Sequence, residues 1–344
     1  MLLQHQNFMS PVLILGGSGF IGSRLARTLL AQEYSVRIGD LVHSLSYPEL
    51  TMLCDVRNVQ TLREPAKHTK TIVNLAAEHR DDVRPVTRYF QTNVQGAHNV
   101  CEAARAANVS RIVFTSSVAV YGFHPKPVDE DGQFAPFNPY GKTKLEAEQV
   151  YKAWANEDPS RSLVIVRPTV VFGEGNRGNV FNLLRQIAVG RFLMVGSGTN
   201  FKSMAYVENV SDFLAYSLTF GPGIHTFNYV DSPDLDMNSL VQCVQNCLNK
   251  QSKSNLRIPK SLALAAGHCL DLVARLANRT LPISAIRIKK FCESTQFKAD
   301  RVALAGFKPR FSLNEGLSRT VKFEFLGNTQ DTRPTAAVMS SSQS

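Results

Sequence analysis

The sequence predicts an α/β protein: a doubly wound parallel sheet with helices on both faces, followed by a smaller C-terminal α/β domain. Three observations predict it. Short apolar runs beginning near Val12, Val36, Leu50, Thr71, Arg111 and Leu163 alternate with stretches of helical period. A glycine-rich turn joins the first run to the first helical stretch. A chain of 344 residues, 44% of them hydrophobic, can bury a core of that size.

Taken in order, Val12-Leu13-Ile14-Leu15 reads as a buried strand that enters Gly16-Gly17-Ser18-Gly19-Phe20-Ile21-Gly22 directly. Glycines allow a tight turn and a close backbone approach to a pyrophosphate. From Phe20 the pattern becomes helical, with Ile21, Leu25, Leu29 and Leu30 on one face, so the pyrophosphate would rest on a helix N-terminus. Ser35 to Asp40 reads as a second strand ending on a carboxylate 18 positions after Gly22, close to the spacing of a ribose-binding acid. Asp40 would repel a 2′-phosphate, and Leu41-Val42 offers no arginine. A Rossmann-like site for NAD rather than NADP is expected.

Later in the same half, an apolar run ends on Thr115-Ser116-Ser117, and Tyr140-Gly141-Lys142-Thr143-Lys144 follows. Tyr140 and Lys144 are four apart and share a face if that stretch is helical. A phenol ordinarily loses its proton near pH ~10, and a neighbouring cation brings it toward neutrality. With the Ser117 hydroxyl on the same reacting oxygen, the set suits removal of a proton from a carbinol while its hydride leaves for a carrier.

With these residues, over about 11 to 325, the chain resembles the extended short-chain dehydrogenase/reductases, the nucleotide-sugar epimerase and dehydratase group. The motifs recur in order: Gly16, Gly19 and Gly22; Asp55-Val56; Asn74-Leu75-Ala76-Ala77; Asn93; Thr115-Ser116-Ser117 with Val120-Tyr121-Gly122; Tyr140 with Lys144; Arg167-Pro168. The resemblance implies that Phe20, Ile21, Thr115, Tyr140, Lys144 and Pro168 border the cofactor. It also implies that Asp55 and Val56 contact its adenine, that Leu75, Ala76 and Ala77 line its cleft, and that Asn93 supports the active-site helix. Dehydratases of the group commonly carry a carboxylate after the Ser/Thr, where Val118 and Ala119 stand here. Neither can transfer a proton, which leaves reversible oxidation and, if the ketone turns over, epimerisation.

Longer stretches, Ala76 to Val83, Phe114 to Gly122, Arg177 to Val180 and Lys202 to Asn209, resemble bacterial enzymes that interconvert N-acetylglucosamine and N-acetylgalactosamine at C4, particularly on sugars joined through diphosphate to undecaprenol. Both this carrier and UDP present an anionic diphosphate, and the residues do not separate them. Related epimerases place an arginine where Lys202 stands and an aspartate where Glu208 stands; lysine lacks the arginine fork. Arg177 and Asn179, next to a helical run from Val180 to Val189, are further candidates for phosphate contact, or solvated loop residues. His79 and Arg80 follow the fourth strand at the sheet edge where ligands bind, within the charged run Glu78 to Asp82.

From Lys250 to Phe325 there are fifteen Lys/Arg against five Asp/Glu, a surplus equal to the net charge of the whole chain, +10. An anionic ligand or surface is the natural partner; with no nucleic-acid module and scattered aromatics, nucleic acid is not expected. The apolar stretch between Pro259 and Arg275 is too short to span a bilayer. Two readings of it stand: a packed helix of the second domain, or a patch lying in an anionic membrane interface. Six dispersed cysteines include no CxxC, so neither a disulfide frame nor a metal site is expected, and the thiols and uncharged start suggest a cytoplasmic protein. Residues 1–10 read as a leader, 11–172 as the NAD-binding domain, 173–326 as mainly substrate-binding, with the chain free to revisit the first, and 327–344 as a disordered tail. By resemblance a homodimer using the helix from Asn138 to Ala155 is expected. The alternatives are a UDP-sugar 4-epimerase, a 3β-hydroxysteroid-type dehydrogenase and, against the survival of both Tyr140 and Lys144, a non-catalytic NAD-binding protein.

Overall fold

The computed structural model describes residues 10–80, 83–250, 257–276 and 292–327, with the side chains of 270–276 left aside. The expected leader up to residue 9, Asp81-Asp82 of the charged run, and the tail from 328 lie outside these residues. So do residues 251–256 and 277–291 of the basic region.

Six strands follow the predicted runs: β1 (Val12–Leu15), β2 (Val36–Asp40), β3 (Thr51–Leu53), β4 (Thr71–Asn74), β5 (Arg111–Thr115) and β6 (Ser162–Pro168). Leu50 belongs to the short turn Pro48–Leu50 just before β3. All pair in parallel, and Gly223–Tyr229 adds a seventh strand beside β6, giving the order 3-2-1-4-5-6-7. The order reverses between β1 and β4, so a crevice opens at their carboxyl ends.

Strand periodicity divides the core. Val12, Ile14, Ile38, Val73, Val113 and Val164 face one side, where helices α1 (Phe20–Ala31) and α7 (Val207–Tyr216) cover them with Leu25, Leu29, Val210 and Phe213. Leu13, Leu15, Ile72, Ile112, Phe114 and Leu163 face the other. There α2 (Val59–Ala66), α4 (Gly96–Ala106) and α5 (Pro139–Asn156) supply Leu62, Val100, Tyr151 and Trp154. A separate cluster around Phe172, Leu184, Tyr206, Leu240 and Leu317 binds α6 (Asn179–Ala188) and α8 (Met237–Cys247) to the C-terminal helix Leu313–Phe325.

Candidate active site

The glycine turn occupies the β1 end of the crevice. Gly16 has φ +76, and a Cβ there would lie 2.7 Å from the Ala76 nitrogen, so the turn presses directly on the chain leaving β4. Its N–H is held by the Gly39 carbonyl (2.8 Å). Helix α1 then starts with Gly19 as N-cap, without a side-chain cap and without an acid in its first turn. Its free N–H groups suit an anion.

Asp40, at the end of β2, is tied to the same turn: its carboxylate accepts from the Ser18 N–H (2.9 Å) and the Leu41 N–H (2.7 Å). Each oxygen retains a lone pair, the requirement for holding a ribose diol. Asp55 is different, because Arg57 forks its carboxylate at 2.6 to 3.0 Å and holds it below the ordinary aspartate range. Val56 is buried, and its carbonyl accepts from Asn99 Nδ2 (2.8 Å).

Leu75, Ala76 and Ala77 are half-buried where β4 ends. Leu75 continues the ladder to Leu15 O (2.8 Å), and Asn74 Oδ1 accepts from the Ala76 N–H (3.1 Å). Asn93 sits in a π-helical stretch, Phe90–Gln95, between α3 (Thr87–Tyr89) and α4. Widened turns of this kind are frequent at functional sites. Its amide donates to Thr143 Oγ1 (3.0 Å) and Glu78 O (3.1 Å) and accepts from the Glu78 N–H (2.9 Å), which joins the β4 loop to α5.

Helix α5 begins one residue before Tyr140. Asn138 caps it by accepting from the Gly141 N–H (2.8 Å), and Pro139 occupies the first turn, where no N–H is needed. A Cβ on Gly141 would come within 2.5 Å of Ala119 O, so only glycine lets this turn close on the turn headed by Ser117. Tyr140 is half-buried; Ser117 is half-buried and caps Val118–Val120 by accepting from the Ala119 N–H (3.1 Å). Lys144, one turn after Tyr140, is 2% exposed; its Nζ donates to Thr115 O (2.7 Å) above the Phe114 ring.

Loss of solvent pulls the Lys144 ammonium down to about 7, with the Glu148 carboxylate pulling the other way. Thr115 Oγ1 is buried with no hydrogen-bond partner among the described residues. An orphaned hydroxyl beside the crevice, a capless helix start and a two-handed Asp40 fit the ribose and diphosphate of a dinucleotide.

The substrate-side candidates are not gathered in the same way. His79 and Arg80 are exposed. Arg177 is 61% exposed at its side chain and paired with Glu324 of the C-terminal helix (2.7 Å), with its guanidinium over the Phe181 ring. Asn179 is exposed and is the first residue of α6 rather than a residue preceding it. Lys202 Nζ donates to Glu293 O (2.6 Å), and burial lowers its ammonium to about 8. Glu208, in the aspartate's usual place, is buried against Arg24 (3.1 Å) and Arg27 (2.5 Å).

Sequence reasoning missed a buried polar group behind Lys144. Glu148 and Arg167 pair at 2.7 Å with side chains 0% and 2% exposed. The signals were Arg167, charged inside an otherwise apolar strand, and the four-residue step from Lys144 to Glu148. A surface cleft lined by Ser10, Arg37, Glu49 and His68 opens at the opposite, amino edge of the sheet and holds none of the expected residues. Among the described residues there is no cluster of three or more His, Cys, Asp or Glu placed for a metal, and no helix long and apolar enough to cross a membrane. Burial raises the Cys54 and Cys101 thiols to about 12, which keeps them unreactive.

Residues 12–228 match the family model described as NAD dependent epimerase/dehydratase family. The N-acetyl-alpha-D-glucosaminyl-diphospho-ditrans,octacis-undecaprenol 4-epimerase of Escherichia coli O157:H7 is 47% identical over 322 residues, 93% of this chain and 97% of that one. A UDP-glucose 4-epimerase of Vibrio cholerae is 28% identical over 326 residues, 90% of this chain and 94% of its own length. In three dimensions, the UDP-glucose 4-epimerase of Thermus thermophilus, solved with NAD, superposes with a TM-score of 0.70 at 20% identity, covering 91% of this chain and 98% of that one.

Proposed function

Because the chain belongs to the NAD dependent epimerase/dehydratase family, we propose that it inverts C4 of N-acetylglucosamine joined through diphosphate to undecaprenol, giving N-acetylgalactosamine by way of a 4-keto sugar. The observation that carries the substrate is the 47% identity, sustained over 93% of the chain, to the E. coli enzyme named for that lipid-linked sugar. The turn after Ser117 fits the reaction type. Val118 and Ala119 fill it and offer no proton-transfer group for eliminating water.

The chemistry that NAD supplies when bound is acceptance of the C4 hydride and its return. The protein's own residues do the rest. Tyr140 Oη takes the proton of the C4 hydroxyl and gives it back after the sugar ring has turned. The Ser117 hydroxyl donates to the same oxygen as it becomes a carbonyl, and the Lys144 ammonium favours the phenolate. Asp40 would hold the adenosine ribose, the α1 N-terminus the diphosphate, and Thr115 Oγ1 would find in the cofactor the partner it lacks. Of the substrate-side set, Lys202 and Arg177 would meet the sugar diphosphate only by exchanging their present partners for it. The experiment is incubation of purified protein with undecaprenyl-diphosphate-linked and UDP-linked N-acetylglucosamine in separate reactions, followed by analysis of the released sugar. N-Acetylgalactosamine from the lipid-linked form, with no net NADH, is expected. Turnover of the UDP form alone would replace the carrier, and net NADH would replace the reaction.

A specific feature favours a membrane-side location for this chemistry. Helix α9 (Lys260–Leu276) exposes Leu262, Ala265, Ala266 and Cys269, spaced as one helical face, with Lys260 and Arg257 beside them. We read this face as lying on anionic lipid, where the substrate resides. Co-sedimentation with anionic liposomes at low salt tests it, and protein remaining in the supernatant would end that reading.

A further inference from the structure

Glu148 lies one helical turn beyond Lys144 on α5 and is fully buried. Both of its oxygens are held: Oε1 accepts from Ser116 Oγ (2.6 Å) and Arg167 Nε (2.9 Å), and Oε2 accepts from Arg167 Nη2 (2.7 Å). Arg167 is anchored in turn, its Nη1 donating to Tyr121 Oη (2.5 Å) and Glu130 O (3.3 Å), its guanidinium packed on the Tyr121 and Phe134 rings. Tyr121 Oη in turn donates to Asn228 Oδ1 (2.8 Å). A buried ion pair is weak evidence for stability, since well-packed apolar residues commonly serve as well. The question is what this one does for its neighbours.

Its two ends reach the two halves of the proposed site. Through Ser116 it grips the strand end that carries Thr115 and Ser117, and along α5 it sits on the face of Lys144. We propose that Glu148 is a positioning residue: locked by Arg167 and Ser116, its carboxylate keeps the buried Lys144 ammonium protonated and sets the end of β5 against α5. The inference rests on the reading of Lys144 as part of the reaction. The groups around Lys144 leave this task to Glu148. Among the described residues, from β5 it meets the uncharged Thr115 carbonyl and the Phe114 ring, the Tyr140 phenol stands one turn earlier on its own helix, and from β6 comes the like charge of Arg167 beyond the carboxylate. Burial alone drives the ammonium toward its neutral form, and Glu148 is the charge that opposes this.

Two readouts test the proposal. In Glu148→Gln, which keeps shape and removes charge, the fall in kcat/KM on the alkaline side should move to lower pH by about one unit, so that at pH 8 the loss relative to pH 6 is roughly fivefold deeper than in the parent. A residue with only a structural role would lower the rate evenly across pH. The second readout is melting temperature against pH, which needs no turnover. A lysine depressed in the fold makes stability rise as pH climbs from its folded value toward about 10.4, so that rise should begin at lower pH in Glu148→Gln than in the parent. The displacement should vanish when Lys144→Met is combined with it. If Glu148→Gln does not fold, Glu148→Gln with Arg167→Gln leaves no unpaired charge and should still show the downward movement, Glu148 being the nearer charge. Profiles that stay in place overturn the proposal, as does a thermal displacement that survives Lys144→Met. If the parent chain has no epimerase activity, the thermal readout still decides the role of Glu148, and the reaction reading alone falls.

Discussion

The two sets of candidate residues, for cofactor and for substrate, use their charged side chains in opposite ways. Among the cofactor candidates, Asp40, Lys144 and Asn93 are held by backbone and side-chain hydrogen bonds. On the substrate side, Arg177 and Lys202 are committed to Glu324 and to the Glu293 carbonyl, while His79 and Arg80 stand in solvent. The first is assembled by the sheet. The second is assembled by segments far apart in the chain, Arg177 and Glu324 being 147 positions distant. Preorganisation is therefore expected on the cofactor side, and exchange of partners on the substrate side.

Substitutions can break that contrast, and the largest effect is expected where the site is most rigid. Tyr140→Phe should lower the epimerisation rate by about 10²- to 10⁴-fold while NAD binding persists; a rate near the parent's would remove Tyr140 from the chemistry. Gly16→Ala places a methyl group 2.7 Å from the Ala76 nitrogen at a φ of +76. A loss of roughly 1 to 3 kcal/mol in stability and most of the thermal shift given by NAD should follow, both read in one melting series. For Asp40→Asn, calorimetric titration should show NAD affinity weaker by about tenfold, the worth of one hydrogen bond to a charged group. The smallest change belongs to the substrate side. Arg177→Ala should raise KM by no more than about fivefold with kcat intact, because an ion pair exposed at one partner is worth about 1 kcal/mol or less. A larger effect, or one on kcat, would mean that Arg177 leaves Glu324 during turnover and touches the reacting sugar.

What could be read from the sequence follows the same division. The strands, the glycine turn, Asp40 and the Tyr140 helix are local patterns of apolar period, glycine and cap, and they fold where the residues place them. The edge strand Gly223–Tyr229 was not anticipated, because it joins β6 from about 60 positions away and its pairing has no local sign. Glu148 was hidden for another reason. Its spacing from Lys144 was visible, but its partner Arg167 lies on β6, in a separate element, and only burial turns that pair into a feature of the site. The tether on Lys202 was invisible because nothing in the sequence brings residue 293 beside it. The lowered Lys144 ammonium is likewise a consequence of enclosure, which spacing alone cannot supply.

The contact between Gly141 and the Ala119 carbonyl sets a limit on how such an enzyme can be redesigned. Sugar specificity can be altered by side chains that face the ring, since those can grow or shrink. The separation of the Tyr140 phenol, the proposed proton acceptor, from the Ser117 hydroxyl cannot be tuned the same way, because it depends on a hydrogen standing where any other residue would bring carbon. Variants selected for larger or smaller substrates should diversify around the crevice and leave Gly141 untouched.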